Sequence, residues 1–387
     1  MSRFPHALAP AAALAMALAA AAAAHGAAPG GAPGHGARLD LSRPEVVDFI
    51  DSVVRHDGLR PRDVRRLLAR ARIDPSVIAR ISQPIEQVLP WWQYRSHFVT
   101  PARIEGGVRL WRGQRGLLTR IAAEHGVPPQ YILAILGCET FYGRITGSDR
   151  VLDALATLAF DYPPRAPYFR GELEQFLLLA REAHLNPLTV EGSYAGAMGA
   201  PQFMPSSYRR YAVPPTARRV DLWHDWSDIF AAVARYLQLN GWDRGEPVLA
   251  EASVDAGANP GTPPLALTDT LESLAARGIH AATGLRPDTP AMLVPAETPA
   301  GPGWRVGFNN FYVITTYNHS ARYAMAVSDL ADAIAAAMGG AAMASPGPPS
   351  APQAAAPAAA PPGPPSARPV AAPAATPPRP TPAPGRT

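Results

Sequence analysis

Glu139 is the residue whose spacing best equips it for chemistry. In residues 128–142, Ile132, Ile135 and Leu136 recur at helical intervals, and Glu139 takes the seventh position of that i, i+3, i+4, i+7 series. A carboxylate on the apolar side of a helix is costly to ionise, because desolvation favours the protonated acid. An acid that must protonate a leaving oxygen near neutral pH needs that property. Ile135, Leu136, Cys138 and Phe141 supply the apolar setting. A structural ion pair with a buried arginine is the alternative, and position alone leaves both open.

Two further segments gather groups suited to a polar ligand. Residues 193–208, SYAGAMGAPQFMPSSY, place small residues at Ala195, Gly196, Ala197, Gly199 and Ala200, where backbone can approach a ligand closely. Ser193, Gln202, Ser206 and Ser207 add hydrogen-bonding side chains. A tight loop running into a helix capped at Ser206 would explain the glycines but not the polar set. Residues 309–323 bring Tyr317, Asn318, His319 and Tyr323 into one short stretch. Tyrosine offers a flat face to a sugar ring and a hydroxyl to its edge, although a single tyrosine is as readily a core residue. Trp91, Trp92 and Tyr94 carry the same ambiguity, with the core favoured for the tryptophans.

Helices must position these groups. Val46, Val47, Phe49, Ile50, Val53 and Val54 form an apolar stripe behind Pro44, with Ser42 expected as the cap. Short helices are expected from Pro61 (Val64, Leu67, Leu68) and from Pro75 (Val77, Ile78, Ile81). Longer ones are expected over 108–125, 128–142, 151–158, 171–184 and 227–239. Residues 246–306 turn rich in proline and glycine, with β-prone runs at 247–250, 265–267 and 291–294 and a helix over 271–277. This reads as a small, mostly antiparallel insertion. Helical sequence resumes over 310–338, and no internal repeat is visible.

The ends differ in kind from the middle. Residues 1–24 read as a cleaved signal peptide, with Arg3, an alanine- and leucine-rich run and Ala-x-Ala at 22–24. A short membrane anchor is the alternative. Residues 346–387 hold 16 prolines among small residues, too little apolar surface to offset the entropy of ordering. This tail reads as a disordered spacer or wall tether, open to cell-wall protein partners. The intervening chain, about 40–338, is long enough for one large domain. Cys138 is the one cysteine, so packing must hold the core without an intramolecular disulfide. All 35 basic residues are arginine and the pI is near 9.4, which suits an anionic partner. No arginine cluster on a helix supports nucleic acid, and export argues against it.

The chain resembles the lytic murein transglycosylase B family (glycoside hydrolase family 103). The resemblance rests on residues 137–143 (GCETFYG), 193–208 and 317–327 (YNHSARYAMAV), with 84–94 (PIEQVLPWWQY) and 161–165 (DYPPR) in support. It is ordered and runs from about Val46 to about Ile334. It implies a mainly α (α+β) fold: a lysozyme-like helical core, an N-terminal helical subdomain and a small β-rich insertion at about 246–306. It implies Glu139 as the catalytic acid/base. Ser193, Gln202, Tyr236, Tyr317, Asn318, Tyr323 and Tyr94 match positions that line the family's groove and orient the glutamate.

The implied substrate is the peptidoglycan glycan strand, met in the periplasm by a monomer without cofactor. The family cleaves the β-1,4 bond between N-acetylmuramic acid and N-acetylglucosamine as the muramyl 6-hydroxyl closes a 1,6-anhydro ring. One carboxylate suffices for this, first as acid and then as base, whereas most hydrolases need two. A lysozyme-type hydrolase and a catalytically idle wall-binding protein are the rivals, separable by product. One departure concerns metal. Family members often carry an EF-hand-like calcium loop, but residues 213–221 here place prolines and arginines where acidic ligands and a turn glycine are needed. Asp221, Asp225 and Asp228 remain nearby, and no calcium site of that kind is expected.

Overall fold

The computed structural model describes residues 36–82, 89–212 and 220–339. The signal-like start, the tail beyond 339, residues 84–88 of the PIEQVLPWWQY run and residues 213–219 of the calcium-loop region lie outside the described residues.

Three short helices open the fold: α1 (Pro44–Asp57), α2 (Pro61–Leu68) and α3 (Pro75–Ile81). Each has proline in its first turn, where the missing N–H costs nothing. Ser42 does not cap α1. Its hydroxyl donates to Asp40 Oδ1 at 2.7 Å, and Arg43 occupies the N-cap without a side-chain bond. Asp74 does cap α3, accepting from Ser76 N at 2.9 Å.

Next come α4 (Trp91–Phe98), α5 (Pro101–Gly113), α6 (Arg115–His125) and α7 (Pro129–Thr140). The helix expected over 108–125 is thus two helices. The break falls at Gln114 beside Gly113, a poor helix former, and it lets α6 turn onto a later helix. α7 differs from its expected amphipathic character in a useful way. Every residue from Ile132 to Thr140 is buried, so the helix is enclosed on all sides.

A two-stranded ribbon of β1 (Asp149–Arg150) and β2 (Glu191–Gly192) brackets α8 (Val151–Asp161) and α9 (Ala166–Glu182). α10 (Pro205–Tyr211) and α11 (Trp226–Leu239) follow. The helical body packs α7 against α5, α6 and α11, and α9 against α8 and α10.

The insertion forms a five-stranded antiparallel sheet of β3 (Leu249–Val254), β4 (Asp269–Thr270), β5 (Ile279–Ala281), β6 (Pro290–Pro295) and β7 (Trp304–Gly307), ordered β4-β6-β7-β3-β5. One face covers α12 (Leu271–Ala276) through Leu274, Leu293, Val306 and Phe308. Met292 and Val294, on the other face, join the main core. Residues 265–267 form no strand. They follow Pro263 and Pro264, which cannot donate to a ladder, and Leu265 and Leu267 instead pack on the main core.

α13 (Asn309–Tyr317) and α14 (Ala321–Ala337) complete the body, and α14 packs along α7. The single helical run expected over 310–338 is broken at Asn318, whose backbone is extended (φ −137°, ψ 121°). Ser320 then restarts the helix, its Oγ accepting from Tyr323 N at 3.2 Å. That break swings Tyr317, Asn318 and Tyr323 into one region.

Candidate active site

Glu139 lies on the last turn of α7 and is 1% exposed. The Tyr323 hydroxyl, from the first turn of α14, donates a hydrogen bond to its Oε1. Burial, then the nearby charge of Glu139, pushes the Tyr323 phenol well above its ordinary pKa, so it stays a protonated donor. Tyr317 is raised for the same two reasons in the same order. Its hydroxyl donates to Pro201 O at 2.6 Å, tying α13 to the glycine-rich loop.

Immediately after Glu139 the backbone turns sharply. Phe141 (φ 52°), Tyr142 (φ 62°) and Gly143 (φ 77°) are all left-handed, and the N–H groups of Phe141 and Tyr142 both point to Leu136 O. Left-handed backbone at a non-glycine residue costs about 1–3 kcal/mol and persists only where the surroundings over-determine it. Here Thr140 Oγ1 donates to Ala200 O at 2.8 Å and accepts from Gly143 N at 2.8 Å. Tyr142 OH donates to Arg103 O at 2.6 Å.

Arg103 supports the same turn from α5. Only 9% exposed, it donates from Nε to Gly137 O at 3.0 Å and from a terminal nitrogen to His97 O, between the rings of Phe98 (5.4 Å) and Phe141 (5.3 Å). A cation at the carbonyl end of a helix is favourably placed. Sequence reading passed it over, although Arg103 shares the buried stripe of α5 with Gly107, Val108 and Trp111. Glu172 escaped notice for the same reason, on the buried stripe of α9 with Phe169, Leu173 and Phe176. Its carboxylate accepts from Ser206 N (3.0 Å) and Ser206 Oγ (2.7 Å) at the start of α10. Burial raises its pKa, and the Ser206 bonds oppose the shift. Ser206 therefore serves Glu172 rather than capping α10, whose N-cap is Met204.

The loop over 193–204 is a rigid wall. Ser193 Oγ accepts from Ala195 N (3.3 Å) and Ala197 N (3.1 Å), closing its own turn. A side chain at Gly199 (φ 68°) would meet Leu222 O at 2.6 Å, so glycine is required there. Gln202 is left-handed (φ 51°), and its Nε2 donates to Thr146 O (3.0 Å) and Gly199 O (3.1 Å). Behind the wall, the Tyr236 ring packs tilted, 4.6 Å from both Tyr317 and Tyr211, with Phe203 5.8 Å from Tyr236. The Tyr236 hydroxyl donates to Thr316 O at 2.6 Å.

Asn318 is 1% exposed, and neither Oδ1 nor Nδ2 has a hydrogen-bond partner among the described residues. Such an orphan amide costs about 1–3 kcal/mol and calls for an explanation beyond folding. Tyr94, 4% exposed, has its ring packed with Trp91 (6.3 Å) and Phe98 (5.0 Å). Trp91 is buried as expected, whereas Trp92 is 40% exposed.

The acidic residues near the loop at 213–219 are engaged with backbone. Asp221 Oδ1 accepts from Trp223 N and His224 N, Asp225 caps α11, and Asp228 Oδ2 accepts from Asp221 N.

Comparison with known proteins places this architecture. The family described as "Transglycosylase SLT domain" matches residues 42–332. Membrane-bound lytic murein transglycosylase B of Escherichia coli (strain K12) is 40% identical over 307 residues, covering 76% of this chain and 84% of that protein. Catenated lytic transglycosylase SltB1 of Pseudomonas aeruginosa superposes with a TM-score of 0.73 at 44% identity, covering 77% of this chain and 99% of that one. SltB3 of Pseudomonas aeruginosa, solved with NAG-anhNAM-pentapeptide, gives 0.64 at 28% identity, covering 74% and 78%.

Proposed function

The chain belongs to the SLT-domain transglycosylase family, and on that premise we propose that Glu139 is the single acid/base of its reaction. The protein is a peptidoglycan lytic transglycosylase on a mainly helical, lysozyme-like core with a small sheet. The observation that carries the assignment is Glu139 itself, a carboxylate 1% exposed on an enclosed helix and held by the Tyr323 phenol.

In the proposed sequence, protonated Glu139 gives its proton to the oxygen of the β-1,4 bond between N-acetylmuramic acid and N-acetylglucosamine. The C1–O bond breaks as the muramyl 6-hydroxyl attacks C1. The glutamate takes the hydroxyl proton, so the acid is regenerated and a 1,6-anhydro ring forms without water. Tyr323 fixes the carboxyl rotamer and favours the ionised form in the second half of the cycle. Asn318 supplies an unpaired donor and an unpaired acceptor that suit a sugar acetamido group. Ser193, Gln202, Tyr236 and Tyr317 shape the wall, and Tyr94 supports it from the core side. The anhydro-muramyl ligand of SltB3 is the kind of end this chemistry makes.

The proposal extends to organisation. Residues 1–24 are a cleaved signal peptide delivering a periplasmic monomer, 40–338 form the catalytic domain with its β-rich insertion at about 246–306, and 346–387 form a spacer that can meet wall proteins. Mass spectrometry of sacculi digested with the mature protein tests the chemistry. Products ending in 1,6-anhydromuramic acid are expected, and reducing muramyl ends would make the protein a hydrolase.

A further inference from the structure

A second binding feature lies where the sheet meets α4. The turn between β6 and β7 is closed by reciprocal bonds between Thr298 and Gly301 (2.8 and 3.1 Å), and a side chain at Gly303 would strike Ala296 O at 2.2 Å. This rigid turn faces the start of α4 across a cavity of about 470 Å³, bounded by Trp92, Arg95, Glu251, Glu297, Thr298 and Arg305 among others. That volume lies within the range of about 300–1,000 Å³ usual for small-ligand pockets.

The lining chemistry narrows the occupant. Two cations, Arg95 and Arg305, face two anions, Glu251 and Glu297, so the charge of the wall cancels and neither an anion nor a cation is favoured. Arg95 bonds Asp329 (2.5 Å), and Arg305 spans Asp329 (2.7 Å) and Glu251 (2.8 Å), which fixes the polar groups in place. Trp92 is one of four large apolar side chains exposed among the described residues, at 40%. A flat indole beside fixed, charge-balanced donors and acceptors suits a neutral ring with one apolar face and hydroxyl edges.

Side chains tie the cavity wall to the segment that carries Tyr323. Glu297 Oε2 accepts from Trp91 N at 2.9 Å, and its Oε1 lies 3.9 Å from Arg322, the residue before Tyr323. One wall of the cavity is thus braced by the segment that holds Glu139.

We infer that this cavity is a distal glycan subsite that takes an N-acetylglucosamine ring of the same strand, with Trp92 as its stacking platform. The inference rests on the transglycosylase reading above and deepens it. A polymer-cleaving enzyme gains from such a contact only on substrates long enough to use it.

The test compares Trp92→Ala, and Trp92→Gln as a second variant that keeps an extended polar side chain without an aromatic face, with the parent enzyme. The ratio of kcat/KM on long glycan strands to kcat/KM on a tetrasaccharide is expected to fall about tenfold, mostly through KM, the size of effect that loss of one tryptophan contact produces. In a Glu139→Gln background, titration calorimetry with chitohexaose, a neutral N-acetylglucosamine hexamer, should show Kd weakened about tenfold by either change. Unchanged ratios and unchanged chitohexaose binding overturn the inference. Equal losses on long and short substrates also overturn it, because they report damage to the catalytic groove. Turnover by Glu139→Gln itself would sink the acid/base assignment while leaving the rate comparison at Trp92 readable.

Discussion

Tyr323 and Glu139, 184 positions apart in sequence, meet in a single hydrogen bond from phenol to carboxylate Oε1. Both are buried, at 1% exposure each, so the bond is shielded from competing solvent. A donor this close stabilises the glutamate once it has lost its proton, and burial opposes that ionisation. In the proposed reaction, that balance is what one residue needs to serve as acid and then as base.

Replacing Glu139 with glutamine keeps the shape and removes the transferable proton. Turnover is expected to fall by at least about 100- to 10,000-fold, the usual contribution of a general acid/base. Melting temperature should stay level or rise, since an ionisable group leaves an apolar site. Release of anhydro-products and thermal melts on the same preparation check both. A destabilised but active variant would mark Glu139 as structural.

Tyr323→Phe removes only the hydroxyl. Losing a hydrogen bond to a charged group costs about 1.5–3 kcal/mol, so kcat should drop about 10- to 100-fold with KM little changed. The alkaline limb of the kcat–pH profile should move to higher pH, because the ionised glutamate loses its donor and the protonated acid that starts the reaction persists to higher pH. Steady-state kinetics across pH on a soluble muropeptide oligomer would show it, and an unshifted profile would separate Tyr323 from the acid's electrostatics.

Asn318→Leu exchanges two unpartnered buried polar atoms for an apolar side chain of similar size. Stability should be unchanged or rise by about 1–3 kcal/mol, while affinity for glycan falls about tenfold or more. Denaturant melts and glycan binding provide the two readouts. Lower stability with intact binding would mean that the amide serves the fold.

Calcium or EDTA should leave the melting temperature of the protein nearly unchanged. Asp221, Asp225 and Asp228 already accept backbone N–H groups, so recruiting them to a cation would undo helix and turn caps. A calcium-dependent rise of several degrees would show that they form a site after all.

Much of this was legible in the residues because the informative signals were local. Prolines at the first turns placed α1, α2 and α3, and the spacing through Glu139 gave its helix. The rest depended on contacts distant in sequence. Ser42 is the local exception, since it reads as a cap but Asp40, two residues earlier, takes its hydroxyl. Residues 265–267 have strand-like composition, yet their leucines are used by the main core. Arg103 and Glu172 sit on apolar stripes as Glu139 does, so the same pattern marks the proposed acid/base and two supporting groups. Only tertiary partners tell them apart: a phenol for Glu139, helix carbonyls for Arg103, and the start of α10 for Glu172.

The enclosure of α7 on every side also sets how activity is lost on heating. Amide hydrogens from Ile132 to Thr140 have no exposed face from which the helix can fray, so their exchange with solvent must wait for the slowest, most cooperative openings of the domain. The acid cannot melt out of register while the body stays folded. Thermal inactivation and global unfolding are therefore expected to coincide, since the setting of Glu139 is lost only when the body around its helix opens.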